Sequence, residues 1–145
     1  MSKKANTPKS GEFCWNELVT TNVPAAKKFY TSLLGWKTKP FDKGMVDYTI
    51  IQKGKDGMGG IMKCPTPGNP AQWIPYMLVT DVDATVKKAR KLRGEVCMPP
   101  FDIPTVGRIA VLADPQGAAF GIITPMMCVF PRVTDDTRLK PEAPV

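Results

Sequence analysis

The stretch TNVPAAKKFYTSLLG, residues 21–35, returns 59 positions later as TDVDATVKKARKLRG, residues 80–94. Thr21/Thr80, Val23/Val82, Ala25/Ala84, Lys28/Lys87, Leu33/Leu92 and Gly35/Gly94 coincide, six of the fifteen positions. Later, with one inserted residue, Gly57 and Pro65 fall over Gly117 and Pro125. A repeat of this length marks a duplicated supersecondary unit. Both copies open as helices do. Asn22 ahead of Pro24, and Asp81 or Asp83 in the second copy, supply side-chain acceptors for the free N–H groups of a first turn. Gly35 and Gly94 stand where a helix ends in a left-handed residue.

Working outward, a short strand is predicted before each helix, at 13–20 and 73–79. Three extended stretches follow each: 36–41, 46–53 and 58–64 in the first copy, 95–98, 107–113 and 118–124 in the second. The turns KGKDG and DPQG separate the last two strands of each copy. The plan is β-α-β-β-β twice, an α+β fold, with module one over 11–65 and module two over 72–125 of a single domain. The linker between them is the Pro- and Gly-rich CPTPGNPAQ, 64–72. Residues 1–10 and 126–145 have little apolar periodicity and are expected to be loose tails.

Composition narrows the function classes. The chain has 145 residues, of which 43% are hydrophobic and 23% charged, values of an ordinary globular domain. It has no apolar run of membrane-span length, and MSKKANTPKSGE lacks the apolar core of a secretory signal, so a cytoplasmic location is expected. Cys14, Cys64, Cys97 and Cys128 are widely spaced, without a C-x-x-C pair, and read as small buried hydrophobes rather than a disulfide or zinc framework. Histidine is absent, which removes the commonest general base and the commonest ligand of catalytic zinc. The net charge of +7 is concentrated in VKKARKLRG and around Lys27 and Lys28. No nucleic-acid motif accompanies it, so it reads as a solvated helix face with a modest bias toward anionic small molecules.

The run A-x-x-F-Y-x-x-L-x-G-W over Ala26–Trp36, together with the D-P-x-G turn in VGRIAVLADPQGAAFGI, resembles the glyoxalase/bleomycin-resistance/dioxygenase superfamily, also called vicinal oxygen chelate, over residues 11–125. The resemblance implies two tandem βαβββ modules in a curved, cup-like sheet with helices outside and a site inside. It also implies a homodimer. Metal ligands in that family come from the first and last strands of each module. The matching positions here are Trp15, Ile74, Gly121 and Ile61, or Gly60 if the alignment slips, and none of these side chains can hold a divalent cation. No metal and no cofactor are therefore expected, and the metal-dependent glyoxalase and dioxygenase activities are not.

Strand alternation then identifies the cup lining. If Trp15 points inward, so do Glu17 and Val19; in module two Ile74, Tyr76 and Leu78 follow. Taking DPQG as a four-residue hairpin loop sets Ala113 against Ala118 and Arg108 against Ile123, which turns Arg108 and Leu112 inward. Tyr48, Ile50 and Gln52 join by the repeat. The lining is apolar and aromatic with few polar groups, as in a small-molecule pocket. Glu17 is its one acid, and a carboxylate is costly to bury without a partner. It could ligate a metal, pair with Arg108, or serve a ligand as a binding group or as a base whose pKa apolar walls raise. Arg108 could grip an anionic ligand or neutralise Glu17. Phe29 is expected in the core, Trp36 at the module boundary and Trp73 at rim or core. Cys14 has helix-layer parity. The expected function is metal-independent binding of a small molecule, aromatic or anionic, by sequestering or sensing. The alternative is a cofactor-free isomerase or lyase with Glu17 as general base.

Overall fold

The computed structural model describes residues 8–41, 47–54, 56–104 and 106–126. Strand β1 (Phe13–Thr20) leads into helix α1 (Val23–Leu34), then β2 (Lys37–Phe41), β3 (Tyr48–Lys53) and β4 (Asp56–Lys63). The second unit repeats the order: β5 (Gln72–Leu78), α2 (Val82–Lys91), β6 (Glu95–Ile103), β7 (Gly107–Ala113) and β8 (Ala119–Pro125). The eight strands form one open sheet in the order β2-β3-β4-β1-β5-β8-β7-β6. Within each unit the first strand pairs in parallel with the last, and the units join through the antiparallel pair β1–β5. That is the tandem βαβββ plan read from the repeat. The predicted strand around 46 begins outside the described residues, and the two expected tails lie largely outside them too.

The helices start where the sequence places them. Asn22 Oδ1 accepts the Ala25 N–H and Asp81 Oδ1 the Ala84 N–H, each at 3.0 Å. Gly35 closes α1 in the left-handed conformation, φ 67°, with its N–H on the Thr31 carbonyl. In α2 the left-handed residue is Arg93, φ 68°, and Gly94 only returns its N–H to the Ala89 carbonyl.

Both helices pack on one face of the sheet. Leu18, Ile51 and Ile61 meet Val23, Ala26 and Tyr30 of α1, and Ala110, Leu112 and Ile122 meet Val82 and Val86 of α2. The helix-free face, the cup, carries a third cluster of Val19, Ile74, Tyr76, Ile109, Val111 and Ile123. Alternation along β1 and β5 is as expected, but along β7 it is inverted. The cause is the turn: Asp114 Oδ1 accepts the N–H groups of both Gln116 and Ala118, so the loop holds five residues and Ala113 pairs with Ala119. One residue of register exchanges the two faces of a strand. Leu112 therefore packs under α2, and Arg108 leaves the cup altogether; Ile109 and Val111 take their places.

Three further expectations change. Ile61 is on the helix face, so the module-one counterpart of Gly121 is Gly60. A bulge between Phe13 and Trp15 turns Cys14 into the cup cluster, against its alternation parity. Phe29 is 58% exposed rather than core. Cys14 and Cys64 are only half-buried and Cys97 is exposed, while Cys128 lies outside the described residues.

Candidate functional site

The cup floor is built where the two units meet. β1 and β5 are antiparallel neighbours with Trp15 opposite Tyr76 and Glu17 opposite Ile74. The 59-residue repeat relates Glu17 to Tyr76 and Trp15 to Ile74, so these equivalent positions lie diagonally across the seam, about the facing pair Asn16 and Pro75. Tyr76 Oη donates to Glu17 Oε2 at 3.1 Å. From the other side Tyr48 of β3 also hydrogen-bonds to Glu17, and its hydroxyl oxygen accepts the Trp15 indole N–H at 2.8 Å. The result is a chain of donors, indole to phenol to carboxylate, with a second phenol closing on the same carboxylate.

Two glycines make room for the phenols. Gly60 lies beside Glu17 on β4, and a Cβ there would overlap the Tyr48 ring; Gly121 lies beside Tyr76 on β8, and a Cβ there would overlap the Tyr76 ring. The rings thus lie over the two last-strand positions at which the resemblance expects metal ligands. The first-strand positions are Trp15 and Ile74, and among the described residues no three His, Cys, Asp or Glu side chains cluster as a metal site would require.

Burial decides the acidities. Glu17 is 7% exposed, and desolvation pushes its pKa up to about 6, with the hydrogen bonds from Tyr76 and Tyr48 holding it back in part. Burial, and then the charge on Glu17, raise both phenols well above their ordinary value. Burial also pushes the Cys14 thiol up to about 12, which with its 3.4 Å contact to the Tyr76 carbonyl makes it an inert neighbour.

The expected lining divides accordingly. Trp15, Glu17, Tyr48 and Tyr76 form one hydrogen-bonded group, and Ile74 packs with them in the apolar floor. Leu78 is buried at the end of β5, where its backbone bonds Gly11 and Glu12. Gln52, half-buried, shares the strand face of Tyr48 at the opposite end of β3. Arg108 is not among them. Its Nε and the Asp83 carboxylate are 2.7 Å apart and its Nη1 is 3.1 Å from Asp102, an exposed ion pair tying α2 to β6 and β7. That bond holds the Asp83 carboxyl below its usual value and the guanidinium above its own. Glu17 is thus not half of a salt bridge with Arg108; two phenols take the place of the cation. Sequence reasoning missed Cys14, Met62, Ile109 and Val111 in this cluster. For Ile109 and Val111 the signal was present, since an Asp that opens a turn can cap two N–H groups and lengthen the loop.

Chemically, the floor offers a carboxylate largely ionised at neutral pH beside two un-ionised phenol donors, in apolar walls. Such a group can orient a polar atom of a ligand or move a proton and steady the charge left behind.

Residues 14–122 match the Glyoxalase/Bleomycin resistance protein/Dioxygenase superfamily, and the chain belongs to it. It is 40% identical over 117 residues to CFP32, a protein of Mycobacterium tuberculosis named as a glyoxylase, covering 80% of this chain and 45% of that one. It is 35% identical over 127 residues to the anthracycline biosynthesis protein DnrV of Streptomyces peucetius, covering 77% of this chain and 46% of that one. The chain spans about half the length of the curated relatives it matches. Among solved structures its fold resembles methylmalonyl-CoA epimerase from Mycobacterium tuberculosis, with a TM-score of 0.53 at 13% identity over 81% of this chain and 90% of that one. It likewise resembles the Mn(II)-bound glyoxalase from Novosphingobium aromaticivorans, with a TM-score of 0.54 at 13% identity over 81% and 40%. At those identities the likeness is one of fold. Among the described residues no helix is long and apolar enough to cross a membrane.

Proposed function

We propose that this chain binds a small molecule without a metal ion, holding it in the apolar, aromatic cup above Trp15, Glu17, Tyr48 and Tyr76. The observation that carries this reading is the filling of the two last-strand positions by phenol rings, over Gly60 and Gly121. Together with Trp15 and Ile74 these positions offer a divalent cation no side-chain donor, so the residues do not fit a metal and no step is routed through one. Trp15 and Tyr48, half-buried, are the accessible aromatic surfaces, with Glu17 and Tyr76 behind them. An anionic ligand loses its named partner now that Arg108 is on the other side of the sheet. An aromatic, amphiphilic ligand with a hydrogen-bonding group for Glu17 fits better.

An anthracycline is a suitable probe, being planar, coloured and suggested by the name of DnrV. Titration should quench Trp emission equally with and without a chelator, and Trp15→Ala should weaken binding about tenfold or more. Native mass spectrometry of the purified protein checks the same point. A stoichiometric metal whose removal abolishes ligand binding would overturn the reading.

A second reading has its own support in the Glu17 carboxyl at about pKa 6 beside two phenols. In it the protein is a cofactor-free isomerase or lyase in which Glu17 removes a proton next to a carbonyl and the phenols stabilise the resulting enolate. Deuterium from solvent should then enter the bound compound, and Glu17→Gln should stop that exchange while binding persists. Binding without exchange leaves the first reading standing.

A further inference from the structure

Each polar proton that Trp15, Tyr48, Tyr76 and Cys14 bring to the cup floor has an acceptor there. The Trp15 indole N–H lies on the Tyr48 oxygen at 2.8 Å, so the Tyr48 proton turns to Glu17, with which that phenol is hydrogen-bonded. The Tyr76 hydroxyl donates to Glu17 Oε2 at 3.1 Å, and the Cys14 thiol to the Tyr76 carbonyl at 3.4 Å. An ionised carboxylate accepts at about four lone-pair sites, of which the phenols fill about two. What this floor has left to offer is therefore lone pairs, on Glu17 and on the phenol oxygens. Glu17 keeps 7% of its surface open.

The charge is as one-sided as the hydrogen bonding. Burial and the two phenols set the acidity of Glu17, and no cation contributes among the described residues. Lys37 and Lys39 share the cup side of the sheet, opposite Gln52 and Ile50, but they are exposed on the edge strand β2, with β3 and β4 between them and Glu17. Arg108 is held by Asp83 and Asp102 on the other face. Much of the positive charge of the chain lies on the helices of that other face, in α2 and at Lys27 and Lys28 of α1. A carboxylate among apolar walls is left wanting a cationic partner. Aromatic faces stand beside it: Trp15 and Tyr48 are half-buried, and the Phe41 ring meets Tyr48 edge to face at 6.4 Å. Such faces attract an ammonium group.

We infer that the ligand of this cup carries a protonated amine, which donates to Glu17 and lies against the Trp15 and Tyr48 rings. The inference rests on the metal-free binding reading and names the chemical class of its ligand. An anionic group would find only acceptors, and a neutral hydroxyl would meet the lone pairs without matching the charge. Naphthylmethylamine, naphthylmethanol and naphthoate, titrated calorimetrically into the full chain with a chelator present, separate these cases. At about pH 7.5 the amine should bind about tenfold or more tighter than the alcohol, and the naphthoate more weakly than either. Glu17→Gln, checked for folding by circular dichroism, should erase the preference for the amine. The wild type supplies the same test without a substitution. Histidine is absent and burial keeps both phenols and Cys14 protonated, so on this floor only Glu17 changes charge in mildly acidic solution. With Glu17 taking up its proton near pH 6, amine affinity should fall about tenfold between about pH 7.5 and about pH 5, and alcohol affinity far less. A wild type that binds the alcohol or the naphthoate as tightly as the amine overturns the inference and leaves the binding reading standing. So does an amine preference that survives in folded Glu17→Gln or persists unchanged in acid. If none of the three binds, or binding needs an added metal ion, the binding reading falls and the inference with it.

Discussion

The two units of this sheet share a plan but not a chemistry. At the repeat-related positions 17 and 76, module one offers a carboxylate and module two a phenol, and the antiparallel seam brings their side-chain oxygens to 3.1 Å. At positions 60 and 121 both have glycine, yet the ring above each comes from a different strand: Tyr48 of β3 in module one and Tyr76 of β5 in module two. Duplication supplies a pseudo-two-fold geometry in which equivalent residues meet. Divergence then makes the meeting pair a phenol donor and a carboxylate acceptor. The helices diverge too, one with a lysine face and the other with an aromatic one.

The glycines break the comparison most severely. A methyl at Gly121 must displace the Tyr76 ring, which is 3% exposed and walled in by the central strands, whereas Tyr48 is half-buried and can swing aside from Gly60. Gly121→Ala should therefore cost about 3 kcal/mol and Gly60→Ala about 1 kcal/mol, read from urea unfolding midpoints. Equal losses would mean that the two rings are equally confined.

The Glu17–Tyr76 pair can be sharpened by pH. The folded carboxyl at about 6, against the ordinary 4.5, holds its proton more tightly than the unfolded one. The folded state binds more protons between those values, so stability falls as pH rises from 4.5 to 6 and is lower by about 2 kcal/mol above that window. Glu17→Gln keeps an acceptor oxygen for a phenol but cannot ionise, so its unfolding free energy should lack this slope. A wild type equally stable across the window would mean that a cation, not the phenols, compensates Glu17.

The caps probe where the units remain alike. Asn22→Ala and Asp81→Ala each remove one side-chain acceptor from a first helical turn, and each should cost about 1 kcal/mol by thermal unfolding. A much larger loss at either position would show that the cap also holds the sheet beneath it.

Much of this was legible without coordinates. The repeat, the helix starts at Asn22 and Asp81 and the order of elements rest on local signals: a capping side chain, a turn glycine, a two-residue alternation. Trp15 and Ile74 were set inward by the family resemblance, and Glu17, Tyr76 and Tyr48 followed from them by alternation and the repeat. Arg108 and Leu112 were not placed correctly, because their side of the sheet depends on whether the Asp114 loop closes over four residues or five.

What the amino-acid sequence determined by itself was therefore the plan, two βαβββ units with a lone acid in the seam strand, since capping, turn chemistry and periodicity act over a few residues. What only the tertiary structure decided was which groups meet. The register of β7, the bulge that turns Cys14 inward and the pairing of β1 with β5 set those meetings, through hydrogen bonds between residues far apart in the chain. A shift of one residue in any of them leaves every local preference satisfied while exchanging the two faces of a strand. It is those long-range bonds that gave Glu17 two phenols and sent Arg108 to Asp83.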